Sequence, residues 1–376
     1  MDFSFSEEQT LLRNSVQKFI QGSYDFETRR KVSKSDAGWR KEVYGQFAEM
    51  GLLGVAIPED FGGLGGSAVD TMIIAEEFGR GLVIEPWLQN AIIATGILKA
   101  AGSTAQKEEL LASIAAGESI FAFAYAEPQG RYNLADLTTT AKKSGDGYVL
   151  NGHKAVVLGA PFADKLIVTA RTSGGQRDAD GVTIFVVDKG AKGVSTRDYP
   201  AVDGSRASEV TLENVSVGAD AVIGEVGKGL PTVELAADQA IAALAAESTG
   251  AMKVLNDTTI EYAKTRKQFG TPIGKFQVLQ HRMVDMFMNY EQSVSIAYMV
   301  TLKLEEEEIE RKKAASAAKV QIGKAGRFIG QSAVQIHGGM GMTDELNVGH
   351  YFKRLTMIDT LFGNVDHHLK RYASLG

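Results

Sequence analysis

A chain of 376 residues is too long for one ordinary core, so two or three packed units are expected. Its 44% apolar and 23% charged residues exclude wholesale disorder, and a net charge of −6, from 40 basic and 46 acidic residues, excludes a general phosphate-backbone binder. The absence of cysteine excludes disulfides, thiolate nucleophiles and thiolate metal sites, and the six histidines show no metal-ligand spacing.

The acidic start, Met1-Asp2-Phe3-Ser4-Phe5-Ser6-Glu7-Glu8, lacks a signal-peptide pattern. No apolar run approaches the roughly 18–20 residues that span a bilayer. A cytoplasmic chain with no membrane segment, no nucleic-acid partner and no metal is expected. Ser6-Glu7-Glu8-Gln9 is a capping signal, and Leu11, Leu12, Val16, Phe19 and Ile20 follow at helical spacing. Pro58-Glu59-Asp60-Phe61-Gly62-Gly63-Leu64-Gly65-Gly66 breaks the pattern as a loop. Helical spacing resumes over 68–78, 89–101 and 104–116. The period then changes to 2: strands are predicted over 148–154, 165–170, 182–187 and 209–215, separated by Gly, Asp and Asn turns, as in a small β-barrel or sandwich. Long helical stretches return over 232–266, 276–304 and 312–337, and the charge run 305–313 reads as a solvated helix end or loop. The expected class is a multi-domain α+β fold: a helical domain over 1–120, a β domain over 121–225 and a helical bundle over 226–376.

Several stretches resemble the acyl-CoA dehydrogenase family. They are Asp2-Phe3-x-Phe5-x-Glu7-Glu8-Gln9 and Gly51-x-x-Gly54-x-x-x-Pro58-Glu59-x-x-Gly62-Gly63, then Tyr262-Ala263-Lys264-Thr265-Arg266-Lys267-Gln268-Phe269-Gly270-x-Pro272-Ile273-Gly274-x-Phe276-Gln277, and Gln335-Ile336-His337-Gly338-Gly339-Met340-Gly341. Their order and spacing hold from residue 2 to about 370. The resemblance implies a helical domain, a small β domain and a C-terminal four-helix bundle. It also implies FAD as cofactor, an acyl-CoA substrate and an electron-transfer flavoprotein as electron acceptor. Physically, Gly338 and Gly339 let backbone N–H groups approach a pyrophosphate without Cβ clashes. Arg266 offers a planar fork for phosphate oxygens, and Phe269 a flat apolar surface beside it. In relatives these segments, with Gln277 and Gln335, reach FAD bound mainly by a neighbouring subunit, which implies an oligomer.

The departures are informative. Relatives place the catalytic glutamate in a Tyr-Glu-Gly stretch near the C-terminus, where this chain reads Leu361-Phe362-Gly363-Asn364. Asp359 and Asp366 lie nearby but off the matching position. Glu247 is the best candidate base, because Ala240, Ala243, Leu244, Glu247 and Ala251 share one helical stripe. A lone carboxylate there would be costly to bury, and burial would raise its pKa toward that of a neutral-pH base. The alternative is a Glu247 ion-paired across the bundle. Asp238 is expected as a solvated first-turn acid. Relatives carry Trp-x-Thr after the residue matching Lys154, packing on the flavin ring and bonding its edge. Val156 and Leu158 can do neither here. Tyr125 and Arg206 are weak candidates for substrate contacts.

The ring platform therefore reads as degraded and the partner-facing segments as intact. This suggests one subunit of a heteromeric (α2β2-like) acyl-CoA dehydrogenase acting on a bulky or unusual acyl chain, such as a steroid side chain or dicarboxylate. A homotetramer, a non-catalytic subunit that completes its partner's flavin site, and an O2-using flavin monooxygenase or oxidase stay open as alternatives.

Overall fold

A computed structural model describes residues 4–376, and Asp2 and Phe3 of the N-terminal motif lie outside the described residues. Helix α1 (Glu7–Ser23) opens on the expected cap: Ser6 Oγ accepts from Gln9 N–H and the Gln9 side chain accepts from Ser6 N–H, both at 3.1 Å. Helices α2 (Phe26–Lys34) and α3 (Lys41–Glu49) precede the glycine-rich loop, and α4 (Ala68–Gly81) follows it. The expected helix over 89–101 begins as a π-helix, Leu88–Ala94, and continues as α5 (Thr95–Ala101). That over 104–116 divides into α6 (Thr104–Gln106), a π-helical stretch Lys107–Leu111 and α7 (Ala112–Ala115). A widened turn changes the local period without changing composition, so the sequence pattern does not register it.

Eight strands follow: β1 (Phe121–Ala124), β2 (Thr140–Ser144), β3 (Gly147–Leu158), β4 (Lys165–Arg171), β5 (Val182–Asp188), β6 (Val194–Pro200), β7 (Arg206–Val217) and β8 (Val222–Ile223). They form one sheet in the order β6-β7-β3-β2-β4-β5-β8, with β1 parallel to β4. The helices then return as α8 (Leu230–Thr265), a small hairpin of β9 (Lys267–Gln268) and β10 (Thr271–Pro272), α9 (Gln277–Leu302), α10 (Glu308–His337), α11 (Asn347–Thr360) and α12 (Val365–Ser374). The charge run over 305–313 is the break before α10 and its first turns.

The chain forms two compact units. The first joins residues up to Lys31 with Ala68–Val83 and Ile241–Gly376; the second joins Val32–Ser67 with Ile84–Ala240. The helices of the 1–120 segment are thus divided: α1 and α4 belong with the C-terminal helices, α3 and α5–α7 with the sheet. Within the first unit, α10 packs against α9, α11 and α12, and α4 lies backbone-to-backbone on α8. A Cβ at Gly79 would stand 2.0 Å from Glu247 O, and one at Gly250 would stand 1.9 Å from Glu76 O. Glycine at both positions is what lets the helix axes come so near. Ile73, Ile74, Leu244, Met252, Leu255 and Ile329 fill the core beside this contact.

In the second unit, Asp238 is fully buried rather than solvated. Helix α8 begins at Leu230, which puts Asp238 in its third turn on an inward face. Among the described residues no helix is long and apolar enough to cross a membrane.

Candidate functional site

The end of α8, the β9–β10 hairpin, the start of α9 and the end of α10 enclose an open groove of about 830 Å3. The chain turns there because Phe269 and Gly270 both take positive φ, +52° and +73°, between the paired strands. Arg266 N–H donates to Tyr262 O and Ile273 N–H donates to Arg266 O, each at 2.8 Å, fixing the hairpin to the end of α8. The Phe269 ring is 95% exposed and meets Phe276 edge-on at 6.3 Å. Arg266, Phe269, Gln335, Gly338 and Gly339 all line the groove, as the sequence pattern suggests. Gln277 is the exposed first residue of α9 and is not among the lining residues.

Arg282, Tyr262 and His337 line the same groove without having been anticipated as site residues. Neither Arg266 nor Arg282 has an ion pair among the described residues, so the groove presents two unneutralised guanidiniums. On a helix that starts at Gln277, Arg282 shares a face with Val278 and Leu279, a spacing that could have revealed it. His337 is buried and its ring stacks on Tyr262 with centroids 4.3 Å apart. Its Nδ1 donates to Ala333 O at 2.8 Å, and Nε2 has no partner. Burial pushes this imidazole below the ordinary histidine value, so it is neutral. A Cβ at Gly338 or Gly339 would meet nothing within 4 Å, so these glycines leave open space beside the backbone.

Glu247 is not the lone carboxylate expected on its stripe of α8. Arg354 of α11 grips it in a bidentate ion pair, Nε to Oε1 at 2.5 Å and Nη2 to Oε2 at 2.8 Å. Both side chains are mostly buried, at 14% and 12% exposure. The partner comes from a helix 107 residues along the chain, which a one-helix stripe argument cannot see. The segment Leu361-Phe362-Gly363-Asn364 contains no carboxylate, and Phe362 takes φ +56° there. His368 Nε2 donates to Phe362 O at 3.0 Å, and Asn364 caps α12 through His367 N–H at 3.0 Å. Asp359 is paired instead with Arg327 at 3.1 Å.

In the second unit, Glu127 and Lys154 form a fully buried pair at 2.7 Å. Glu127 also accepts from Thr138 Oγ1 at 2.6 Å and from the N–H groups of Thr138 and Thr139. Burial alone would raise the Glu127 pKa, but the Lys154 charge and these donors hold it down to about 2. The pair braces the 126–139 segment against β3. Two residues on, Val156 takes φ +52° at a shift in the β3–β7 register and is 48% exposed. Tyr125 is half-buried and stacks on Phe123 at 4.9 Å. Arg206 donates to the backbone carbonyls of Ser33 (3.4 Å) and Ser35, and packs over Gly38. These bonds give it a bracing role at the start of β7.

A helical unit with a cationic, glycine-edged groove and a second unit built on a small β sheet make up the chain, and comparison with known proteins gives the class. Three family descriptions match in sequence: the acyl-CoA dehydrogenase N-terminal domain over residues 6–118, its middle domain over 122–215 and its C-terminal domain over 227–374. The chain is 31% identical over 362 residues to a 3-(aryl)acrylate reductase of Clostridium sporogenes, covering 94% of each. It is 29% identical to mitochondrial isovaleryl-CoA dehydrogenase of Pongo abelii, covering 93% of this chain and 84% of that one. Among solved structures, the Tcur3481–Tcur3483 steroid ACAD superposes with a TM-score of 0.88 at 27% identity, covering 98% and 97% of the two chains. The chain belongs to the acyl-CoA dehydrogenase family, flavin-dependent oxidoreductases acting on CH–CH bonds.

Proposed function

We propose that this chain takes part in FAD-dependent α,β-dehydrogenation of an acyl-CoA thioester as one subunit of a mixed, α2β2-like assembly whose substrate carries a bulky or unusual acyl group. The observation that carries the reading is an asymmetry within the chain. The groove keeps Arg266, Phe269, Gln335, Gly338 and Gly339, whereas β3 has Val156 and Leu158 where the family pattern has Trp-x-Thr. A similarity to a steroid enzyme named as a pair supports both the assembly and the substrate class.

The groove fits the adenosine-diphosphate end of a flavin dinucleotide. Arg266 and Arg282 would meet the phosphate charge, Gly338 and Gly339 leave room for backbone donors, and Phe269 offers an exposed ring face. Bound FAD supplies the hydride-accepting chemistry, and an electron-transfer flavoprotein takes the electrons onward. Glu247 is the proposed acceptor of the substrate α-proton. Arg354 occupies both Glu247 oxygens, so substrate binding must loosen Arg354 before Glu247 can act.

The test is FAD stoichiometry of the chain purified alone and with co-expressed family partners. Little flavin alone, and about one FAD per pair of chains on co-expression, is the expected result. One FAD per chain in a self-assembled tetramer overturns the mixed-assembly reading.

The Glu247–Arg354 pair favours a second reading, in which the chain completes its partner's flavin site and contributes no base. Glu247→Gln in the reconstituted complex separates the two: a passive subunit keeps full turnover.

A further inference from the structure

The Glu247–Arg354 pair must open before Glu247 can act, and its surroundings set how it opens. With side chains only 12% and 14% exposed, each charge depends on the other more than on water. The backbone on both sides is held. The Glu247 carbonyl lies against Gly79 of α4. Tyr351, one turn before Arg354 on the same face of α11, donates through its hydroxyl to Arg80 O at the end of α4. Opening is therefore a matter of side-chain rotation, not of parting α8 from α11. The neighbouring carboxylates are already engaged, Glu76 and Glu77 with Arg13 and Arg80, and Asp359 with Arg327. Along α8, Ala243 and Ala251, one turn to either side of Glu247, carry only methyl groups. None of these groups can take the place of Glu247 on the guanidinium.

An uncharged acyl chain would have to strand the Arg354 guanidinium in this poorly solvated place. A carboxylate on the acyl chain would instead exchange like for like. It would take the two-pronged position that the Glu247 oxygens hold at 2.5 and 2.8 Å, and so set Glu247 free. We propose that Arg354 is a substrate-recognition residue, and that the acyl group carries a second carboxylate which binds Arg354 and displaces Glu247. The inference rests on the reading of Glu247 as the base, and it narrows the unusual acyl group to the monothioester of a dicarboxylic acid. Specificity and activation then share one contact, because only a substrate that bears a carboxylate uncovers the base.

The same geometry limits the chain. A freed Glu247 stays tethered to α8, within one side-chain rotation of the guanidinium it has left. The α-carbon it serves must come within roughly 3–3.5 Å of its oxygens. The α-carbon and the second carboxylate therefore stand close together, about three bonds apart on a short chain, as in a glutaryl group. A long diacid would have to fold back to bring its far carboxylate to Arg354.

The test is calorimetric binding of glutaryl-CoA and pentanoyl-CoA to the assembly that the flavin stoichiometry defines. The two thioesters share a chain length and differ in the terminal carboxylate. The wild type should bind glutaryl-CoA roughly tenfold tighter. In Glu247→Gln the internal carboxylate no longer competes, so the preference should widen by roughly another tenfold. Glu247→Gln with Arg354→Met removes the binding group together with its competitor, and the preference should vanish. Equal affinity for the two thioesters in the wild type overturns the proposal. So does a preference that Glu247→Gln leaves unwidened, or one that the double variant retains. Should Glu247→Gln fail to fold, the wild type against the double variant decides alone. Flavin bleaching by pentanoyl-CoA as fast as by glutaryl-CoA would leave the dehydrogenase reading standing and overturn this one. The expected binding pattern without bleaching by glutaryl-CoA would end the reading of Glu247 as the base while the Arg354 site stands.

Discussion

Glu247 and Arg354 meet as a two-pronged ion pair between α8 and α11, at 2.5 and 2.8 Å and mostly out of solvent. Directly behind it, the Glu247 backbone carbonyl lies against Gly79 of α4, so α4, α8 and α11 all meet at this one residue. Removing one partner of such a pair strands the other charge in a poorly solvated site, whereas replacing both can be nearly neutral.

Arg354→Met is therefore expected to cost about 3–5 kcal/mol in urea unfolding, and Glu247→Gln with Arg354→Met to recover most of it. For function, Glu247→Gln in the reconstituted complex should lower kcat by roughly 10²–10⁴-fold, the usual worth of a positioned base. Stability loss with unchanged kcat would assign the pair to architecture alone.

Glycines in this chain serve two different needs, and alanine substitution separates them. Gly250→Ala forces a Cβ to within 1.9 Å of the Glu76 carbonyl, so a loss of about 1–3 kcal/mol and a lower Tm are expected. Gly339→Ala meets nothing within 4 Å, so Tm should hold while flavin content of the assembled protein falls. Equal effects on Tm would contradict the view that Gly339 is kept for a ligand.

The contrast between these glycines also marks what the sequence could carry. Helical spacing of apolar residues located α1, α4 and the long C-terminal helices, even though α4 is buried all round over Met72–Gly79 and α1 fully buries only Val16. It missed β6, whose Val-Ser-Thr-Arg-Asp-Tyr-Pro run is exposed along most of its length and so has no alternation to read. It missed β1 for the opposite reason, since Phe-Ala-Phe-Ala is buried on both faces. At the groove, the motif residues were legible because they are contiguous in sequence. Arg282 needed the start of α9, and His337 needed the stacking partner Tyr262 from another helix. Arg354 was invisible because its meaning lies in a carboxylate 107 residues away.

Acid sensitivity should localise to the second unit's buried pair. Glu127 has its pKa held down to about 2 beside Lys154, below the ordinary glutamate value. A depressed carboxylate contributes stability that is complete above the unfolded value, about 4.3, and is lost as pH falls toward 2. Glu127→Gln keeps an acceptor for Thr138 but leaves Lys154 buried without its counter-charge. The variant should be less stable than wild type at pH 7 by on the order of 2–3 kcal/mol, and the gap should narrow as pH falls toward 2, measured by urea unfolding. A gap independent of pH would place the acid response elsewhere.

Val156 offers the sharpest test of where flavin is held. A β-branched residue at φ +52° is strained, and here the backbone is pinned on both sides, by Ala155 N–H on Ala126 O and by Gly159 N–H on Arg206 O, each at 2.9 Å. Val156→Gly removes the strain at some entropic cost to folding, so a net gain of about 1 kcal/mol is expected. The side chain is 48% exposed and has no hydrogen-bonding group, so its loss should leave the flavin content of the assembled protein unchanged if the ring rests on a partner. A fall in flavin content with a rise in Tm would mean that the strained valine touches the ring, and would return the isoalloxazine platform to this chain. Val156→Trp with Leu158→Thr is the converse experiment. It restores the family's side chains without relieving the backbone, and flavin retained by the isolated double variant, beside none in the wild type, would show that these two positions alone removed the platform.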